Sequence, residues 1–335
     1  MLSLRESIDR LRTHGGREDF SPLLGASFLA VDVSGDPRLD AEETAILSEA
    51  LAELGCPSIG CGAEPALPGA ASVVAHFDVV VESEEDFERV ATGCRQNPLA
   101  SLVLVQALRR SAGSSIHDGL VTESLGYATL QSGPEFAHWQ EERGSVVSRV
   151  ASATNPLLRV ERKGERLELV LTRPEKRNAF CAELRDQLAL ALEVALVDVG
   201  VKQIVWSAEG PAFCAGGDLD EFGSLPDPAT AHGIRSARNV ARLVAVLAKR
   251  LRVEVNGACV GAGVELPAFA GHLVARRDAF FALPEIAMGL IPGAGGTVSL
   301  PRRIGRQRTA WMALSGARID AETAYTWGLV DELTD

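Results

Sequence analysis

Residues 255–266 read VNGACVGAGVEL and residues 281–297 read FALPEIAMGLIPGAGGT, and the spacing of the two glutamates they carry, Glu265 and Glu285, decides how the chain is understood. In the first stretch small residues form a turn that leads into a helix-like apolar run. A helix start presents unpaired N–H groups and the positive end of its dipole, so this turn can offer a backbone donor to a ligand oxygen. Upstream, GPAFCAGGDL (210–219) is a strand end running into small residues, where a second N–H can approach the same oxygen without side-chain obstruction. Two donors converging on a carbonyl oxygen stabilise the enolate that forms beside it, by ~3–4 kcal/mol per donor in comparable oxyanion holes. Such chemistry also needs carboxylates of raised proton affinity, and the apolar or small neighbours of Glu265 and Glu285 meet that demand. An isolated glutamate of this kind is usually a solvated helix residue or a turn cap; the joint spacing and the flanking motifs reverse that expectation.

Working outward, the chain has 335 residues, 46% hydrophobic and 23% charged, which suits a globular protein with a core to bury and suggests two units. The net charge of -12 argues against a general nucleic-acid or anionic-membrane surface, since either needs a basic footprint. The start, MLSLRESIDRLRTHGGRE, lacks the apolar run of a secretory signal, and no uninterrupted apolar stretch approaches a membrane span. The cysteines Cys56, Cys61, Cys94, Cys181, Cys214 and Cys259 lack paired Cys-x-x-Cys spacing, which points to reduced thiols in a cytoplasmic setting and no metal site. Cys214 has no indicated histidine partner and reads as packing. The scattered histidines make no catalytic pattern, and GAGG at 293–296 reads as a turn.

Texture divides the chain near residue 150: 1–150 as an α/β region and 151–335 as a second unit. In the first, Leu4 to Leu11 and 40–54 read as helices, SFLAVDVSG from Ser27 as a buried strand, the Gly/Pro-rich stretch 55–72 as a breaker and ASVVAHFDVVVES (71–83) as a strand. Residues 84–96, 97–111 and 123–131 read as helices leading into PEFAHWQEER. In the second, LLRVERKGERLELVLTRP alternates like paired strands, and a helix, a strand, a long helical run from about Ala229 to Ala248 and a further strand follow in β/α order.

The four segments RPEKRNAF (173–180), 210–219, 255–266 and 281–297, with the closing run that ends in GLVDEL, resemble the enoyl-CoA hydratase/isomerase (crotonase) superfamily, in the family's order, from about residue 157 onward. The resemblance implies an α/β, crotonase-like (ClpP/crotonase) ββα superhelix core with an additional α/β N-terminal region. It implies oxyanion-hole N–H groups at Ala215 and Ala262, the latter at the middle of the family's triple-glycine turn. Glu265 would activate a water for the β carbon, and Glu285 would exchange a proton with the α carbon. Coenzyme A, as part of the substrate rather than a cofactor, would lie along Lys176, Arg177, Asn178, Ala179, Ala215, Gly216, Gly217, Asp218 and Leu219. The expected reaction is syn hydration of a 2-enoyl-CoA thioester by a homo-oligomer, a trimer or a dimer of trimers. Isomerisation, decarboxylation or thioester hydrolysis on the same oxyanion hole is the first alternative, and a catalytically silent acyl-CoA-binding scaffold the second.

The chain departs from the family's pattern at Gly271, where an aspartate is usual, and at FALPE, where FG-x-PE is common. The resemblance also implies a helical tail after GLVDEL. Residues 86–143 look like that tail carried ahead of the core, a circular permutation through a linker at SVVSRVASATNP, with Arg143 positioned to reach CoA phosphates.

Overall fold

The computed structural model describes residues 1–34, 38–62, 70–111, 113–144, 156–224 and 227–335. In the first part, strands Leu2–Ser3, Leu29–Asp32, Ser58–Cys61 and Val79–Val81 form a parallel sheet in sequence order. Its helices Leu4–Leu11 and Ala41–Glu53 each start in a capping box, Ser3 with Glu6 and Asp40 with Glu43, which satisfies end N–H groups that would otherwise lack partners. Leu4, Ile8, Leu11, Leu47, Leu51, Val31 and Phe77 bury one another in a core of their own.

Two expectations here need correction. The Gly/Pro-rich stretch contains the strand Ser58–Cys61, buried along its whole length, whose small residues let neighbouring elements close over it. The segment 71–83 is not one strand. Ala70–Val74 is helical, and the strand begins only at Val79, after Asp78 has turned inward.

In the second part the hairpin Leu158–Lys163 and Arg166–Leu171 starts a six-stranded sheet that continues in parallel through Gln203–Ala208, Leu251–Val255, His272–Arg276 and Glu332–Thr334. A smaller sheet joins Ala258–Val260, Phe280–Ala282 and Ile319–Asp320. The chain therefore leaves the large sheet at Val255 or Arg276 and enters the small one a few residues later, so successive ββα turns stack into a superhelix. The helical run from Ala229 is two helices, Pro228–Ala237 and Val240–Leu247, because Asn239 stops the first and caps the second through its bond from the Arg242 N–H.

The expected boundary near residue 150 falls outside the described residues, and buried residues on both sides of it share one core. Leu104, Leu108, Leu120 and Phe136, from helices Pro98–Ser111, Ile116–Gln131 and Pro134–Arg143, share one core with Leu169, Phe281, Val298 and Leu300. Helix Glu84–Gln96 joins them at Gly93, where a β-carbon would stand 2.0 Å from the Leu314 carbonyl oxygen. At the seam lies Asp78, 1% exposed, which accepts from the Ser58 N–H and hydroxyl, from Arg109 and from Arg306. Among the described residues no helix is long and apolar enough to cross a membrane.

Candidate active site

The site grows from the passage between the two sheets. Strand Ala258–Val260 ends at Gly261, and helix Ala262–Glu265 begins at once, so Glu265 points inward on the helix's only turn. Strand Phe280–Ala282 ends two residues before Pro284, and Glu285 opens the short 3₁₀ turn Glu285–Met288. Both carboxylates are buried, at 2% and 8% exposure.

Their environments differ. Glu265 Oε2 accepts the N–H groups of Ala294 and Gly296, both at 2.8 Å, while Glu285 Oε2 is buried with no hydrogen-bond partner among the described residues. Burial pushes the Glu265 carboxyl up to about 7 against the opposing pull of those two N–H groups. Burial, then the neighbouring Glu265, holds Glu285 well above the ordinary carboxylate value. Two buried carboxylates of raised proton affinity thus face each other in unlike surroundings, the kind of pair general acid–base chemistry uses.

The turn beside them supplies the donors. Gly261 has φ +51, and a β-carbon there would meet Glu285 Oε1 at 2.6 Å and the Gly216 Cα at 3.6 Å, so the segments 214–217 and 260–263 lie against each other next to the acid. Cys214 ties them, taking the Val260 N–H on its carbonyl and giving its own N–H to Ala258. The expected donor Ala215 is not available, because its N–H is already bonded to the Arg177 carbonyl at 3.0 Å. The N–H groups of Gly216, Gly217, Ala262 and Gly263 find no acceptor among the described residues. Phe180 pairs with this segment through the Gly216 carbonyl and the Asp218 N–H, which turns the Gly217 N–H to the opposite side, where strand Ala258–Val260 runs.

The remaining expected ligand-binding residues fall into two groups. Asn178 is fully buried and spends its side chain on the Glu209 and Ala212 carbonyls and the Arg173 N–H, fixing a turn in which Arg177 and Asn178 both have positive φ. Asp218 is likewise committed, to Arg173 at 2.8 Å. Lys176, Arg177, Ala179 and Leu219 remain at least partly accessible. Lys176 reaches Asp220 at 2.9 Å and Arg143 reaches it at 3.3 Å, and Arg143 also donates to the Leu219 carbonyl. Arg143, Leu219 and Asp220 edge a cavity of about 300 Å³ between helix Pro134–Arg143 and segment 219–222, with Trp139 and Phe222 on its walls.

Sequence reasoning missed a third buried carboxylate. Glu123, 2% exposed, comes from helix Ile116–Gln131 and accepts from the Gly295 N–H and from the Thr297 N–H and hydroxyl. Tyr127, one helical turn on, packs on Gly293 with Arg235 over its ring at 4.7 Å. The available signal was a glutamate on the same helix face as Leu120, Tyr127 and Leu130.

Comparison with known proteins agrees with this geometry. A family profile described as enoyl-CoA hydratase/isomerase matches residues 162–334. The chain is similar to the 2,3-dehydroadipyl-CoA hydratase of Escherichia coli, 40% identical over 174 residues that cover 52% of this chain and 68% of that one. It is similar to the 1,2-epoxyphenylacetyl-CoA isomerase of the same organism, 36% identical, with 50% and 66% covered. It thus spans about two thirds of the length of these relatives. Among solved structures, an enoyl-CoA hydratase of Mycobacterium smegmatis superposes with a TM-score of 0.51 at 32% identity, covering 54% of this chain and 70% of that one.

Proposed function

The chain belongs to the enoyl-CoA hydratase/isomerase family, and from that premise we propose that it hydrates a 2-enoyl-CoA thioester. The observation that carries the reading is the pair of unlike buried carboxylates, Glu265 fixed by two N–H groups and Glu285 with its Oε2 unpartnered, beside a turn of backbone donors that find no acceptor among the described residues. In this reading the thioester oxygen lies between the N–H groups of Gly217 and Ala262. Glu265 takes a proton from water as its oxygen bonds to the β carbon, and Glu285 gives its proton to the α carbon. Glu265 then holds one proton more and Glu285 one fewer, and a transfer between them or with solvent resets the site. The test is loss of the conjugated thioester absorbance with one water added to the product. A chain that binds the thioester and leaves it unchanged refutes hydration and favours the silent scaffold.

The name of the second Escherichia coli relative favours one competing reading, isomerisation, which needs proton transfer but no water. Turnover in H₂¹⁸O separates the two, since an isomerised product carries no label.

Gly261→Ala places a methyl group on a left-handed residue and 2.6 Å from Glu285 Oε1. Its expected result is a hydration rate lower by roughly 100-fold, the size of a lost oxyanion contact, in a chain that still folds; circular dichroism beside kcat checks this.

For the CoA end, Lys176 and Arg143 are read as the phosphate partners. The double variant Lys176→Ala, Arg143→Ala is expected to raise KM for an enoyl-CoA about 10-fold, the equivalent of ~1.4 kcal/mol, with kcat little changed. The corresponding pantetheine thioester, which lacks the nucleotide phosphates, should show no such shift. An equal loss on both substrates sinks the assignment.

We further read the helices between Glu84 and Arg143 as the family's tail carried ahead of its core. Their shared core with the second half and the delivery of Glu123 and Arg143 to the site support this.

A further inference from the structure

The four successive N–H groups of Ala294–Thr297 are taken alternately by two carboxylates. Ala294 and Gly296 donate to Glu265 Oε2, both at 2.8 Å, while Gly295 and Thr297 donate to Glu123, at 2.7 and 2.9 Å. The Thr297 hydroxyl adds a third bond to Glu123 at 2.7 Å. Glu265 is held from above by this turn and from behind by the Ser299 hydroxyl on its own carbonyl at 2.8 Å, and its Oε1 meets no donor among the described residues.

We propose that Glu123, supplied by the first half of the chain, is a positioning residue for Glu265: by gripping alternate amides of the turn it aims the other two at Oε2, leaving Oε1 free to meet the attacking water. This rests on the hydratase reading. A cap alone would need only one carboxylate on the first turn of helix Gly296–Ile304; interleaving makes the orientation of each carboxylate depend on the other. A glutamine at 123 has one oxygen and one NH₂ group to offer, so it must turn a donor toward either Gly295 or Thr297 and release that amide. The turn then loosens on the side that holds Glu265.

The charged and titratable groups facing Glu123 are Glu265 from its short helix, Glu285 from the adjacent turn, Tyr127 on its own helix and Arg235 from helix Pro228–Ala237. Losing the grip of Glu123 slackens the Ala294 and Gly296 N–H bonds that pull the Glu265 carboxyl down, so Glu265 should hold its proton to higher pH. Burial, then Glu265, raises the Glu123 carboxyl in turn, as expected of two neighbours that resist ionising together.

The test is the Glu123→Gln variant beside wild type in enoyl-CoA hydration across pH. Expected are a kcat lower by roughly 10- to 100-fold, the scale of a catalytic group displaced by a fraction of its contact distance, a KM changed by less than about 2-fold because no substrate contact is lost, and an acidic limb of kcat moved to higher pH. A folded variant with wild-type kcat and an unmoved limb overturns the proposal and leaves Glu123 as a helix cap. If Glu123→Gln does not fold, Thr297→Val removes one bond to Glu123 and should lower kcat in the same direction at unchanged KM; wild-type kcat there overturns it equally. If wild type binds the thioester without hydrating it, the hydratase reading fails on its own. The positioning role is then read from ¹³C-carboxyl NMR, with the Glu265 signal assigned through Glu265→Gln: a higher titration midpoint in Glu123→Gln supports it, and an unmoved or lower midpoint overturns it.

Discussion

Replacing Glu285 by glutamine is expected to slow hydration by roughly 1000-fold, within the range for loss of a general acid, while the chain still binds the thioester. The amide keeps the shape of the acid and has no proton to give the α carbon. Glu265→Gln should lose about as much for the opposite reason, since it removes the base. In wild type the rate should fall as pH drops through about 7, where Glu265 takes up its proton. Stability carries the reverse signature. A carboxyl raised by burial binds its proton more tightly folded than unfolded, so its contribution is fully present below the ordinary value of 4.5 and declines as pH rises toward the folded value. Glu285→Gln abolishes that decline for its site. Its unfolding midpoint should therefore match or exceed wild type at pH 8 and lose that advantage at pH 4. A variant equally less stable at both would show that Glu285 is held by contacts the structure does not contain.

The largest loss of stability is expected from Asp78→Ala. This carboxylate gathers two nitrogens of Arg109, at 2.6 Å and 2.9 Å, and one of Arg306, at 2.8 Å, together with the Ser58 N–H and hydroxyl. Arg109 also serves the Leu54 and Cys56 carbonyls, and Arg306 the Ala75 and Phe77 carbonyls, so the three side chains stitch the N-terminal sheet to helices on either side of the chain's midpoint. Removing the anion leaves two guanidinium groups facing each other, Arg109 with only 9% of its side chain exposed. Breaking a buried pair in this way costs about 3–5 kcal/mol. Urea unfolding followed by tryptophan fluorescence checks it; a loss below about 1 kcal/mol, the value of an exposed pair, would place the network in solvent.

Glu265 and Glu285 were legible because the sequence carries two glutamates at one spacing, each embedded in a motif of small residues. The donor residue was not. Which N–H in CAGGD faces the site depends on a partner 38 residues away, the Arg177 carbonyl that claims Ala215. No local pattern reports that. Glu123 was hidden for a related reason: its role exists only because the chain brings it to Gly295, 172 residues on. The strand Ser58–Cys61 was missed because the glycines and prolines in and around it signal a turn in isolation, whereas burial along its whole length, a tertiary property, makes it a strand. By contrast the hairpin 158–171 shows its alternation directly and formed as read.

The helices that roof the site precede the core they cover. During synthesis Leu104, Leu120 and Phe136 leave the ribosome well before Val298 and Leu300, with which they share one core. At ~5–20 residues per second that interval is roughly 10–30 s. One face of the N-terminal sheet, with its own core, can close in that time, while the sheet's other face, the apolar faces of the roof and the carboxylate of Glu123 wait uncovered. The nascent chain thus carries a sticky, half-finished intermediate that a core-first order of elements would not produce, and chaperone demand should rise whenever translation stalls between residues 143 and 298.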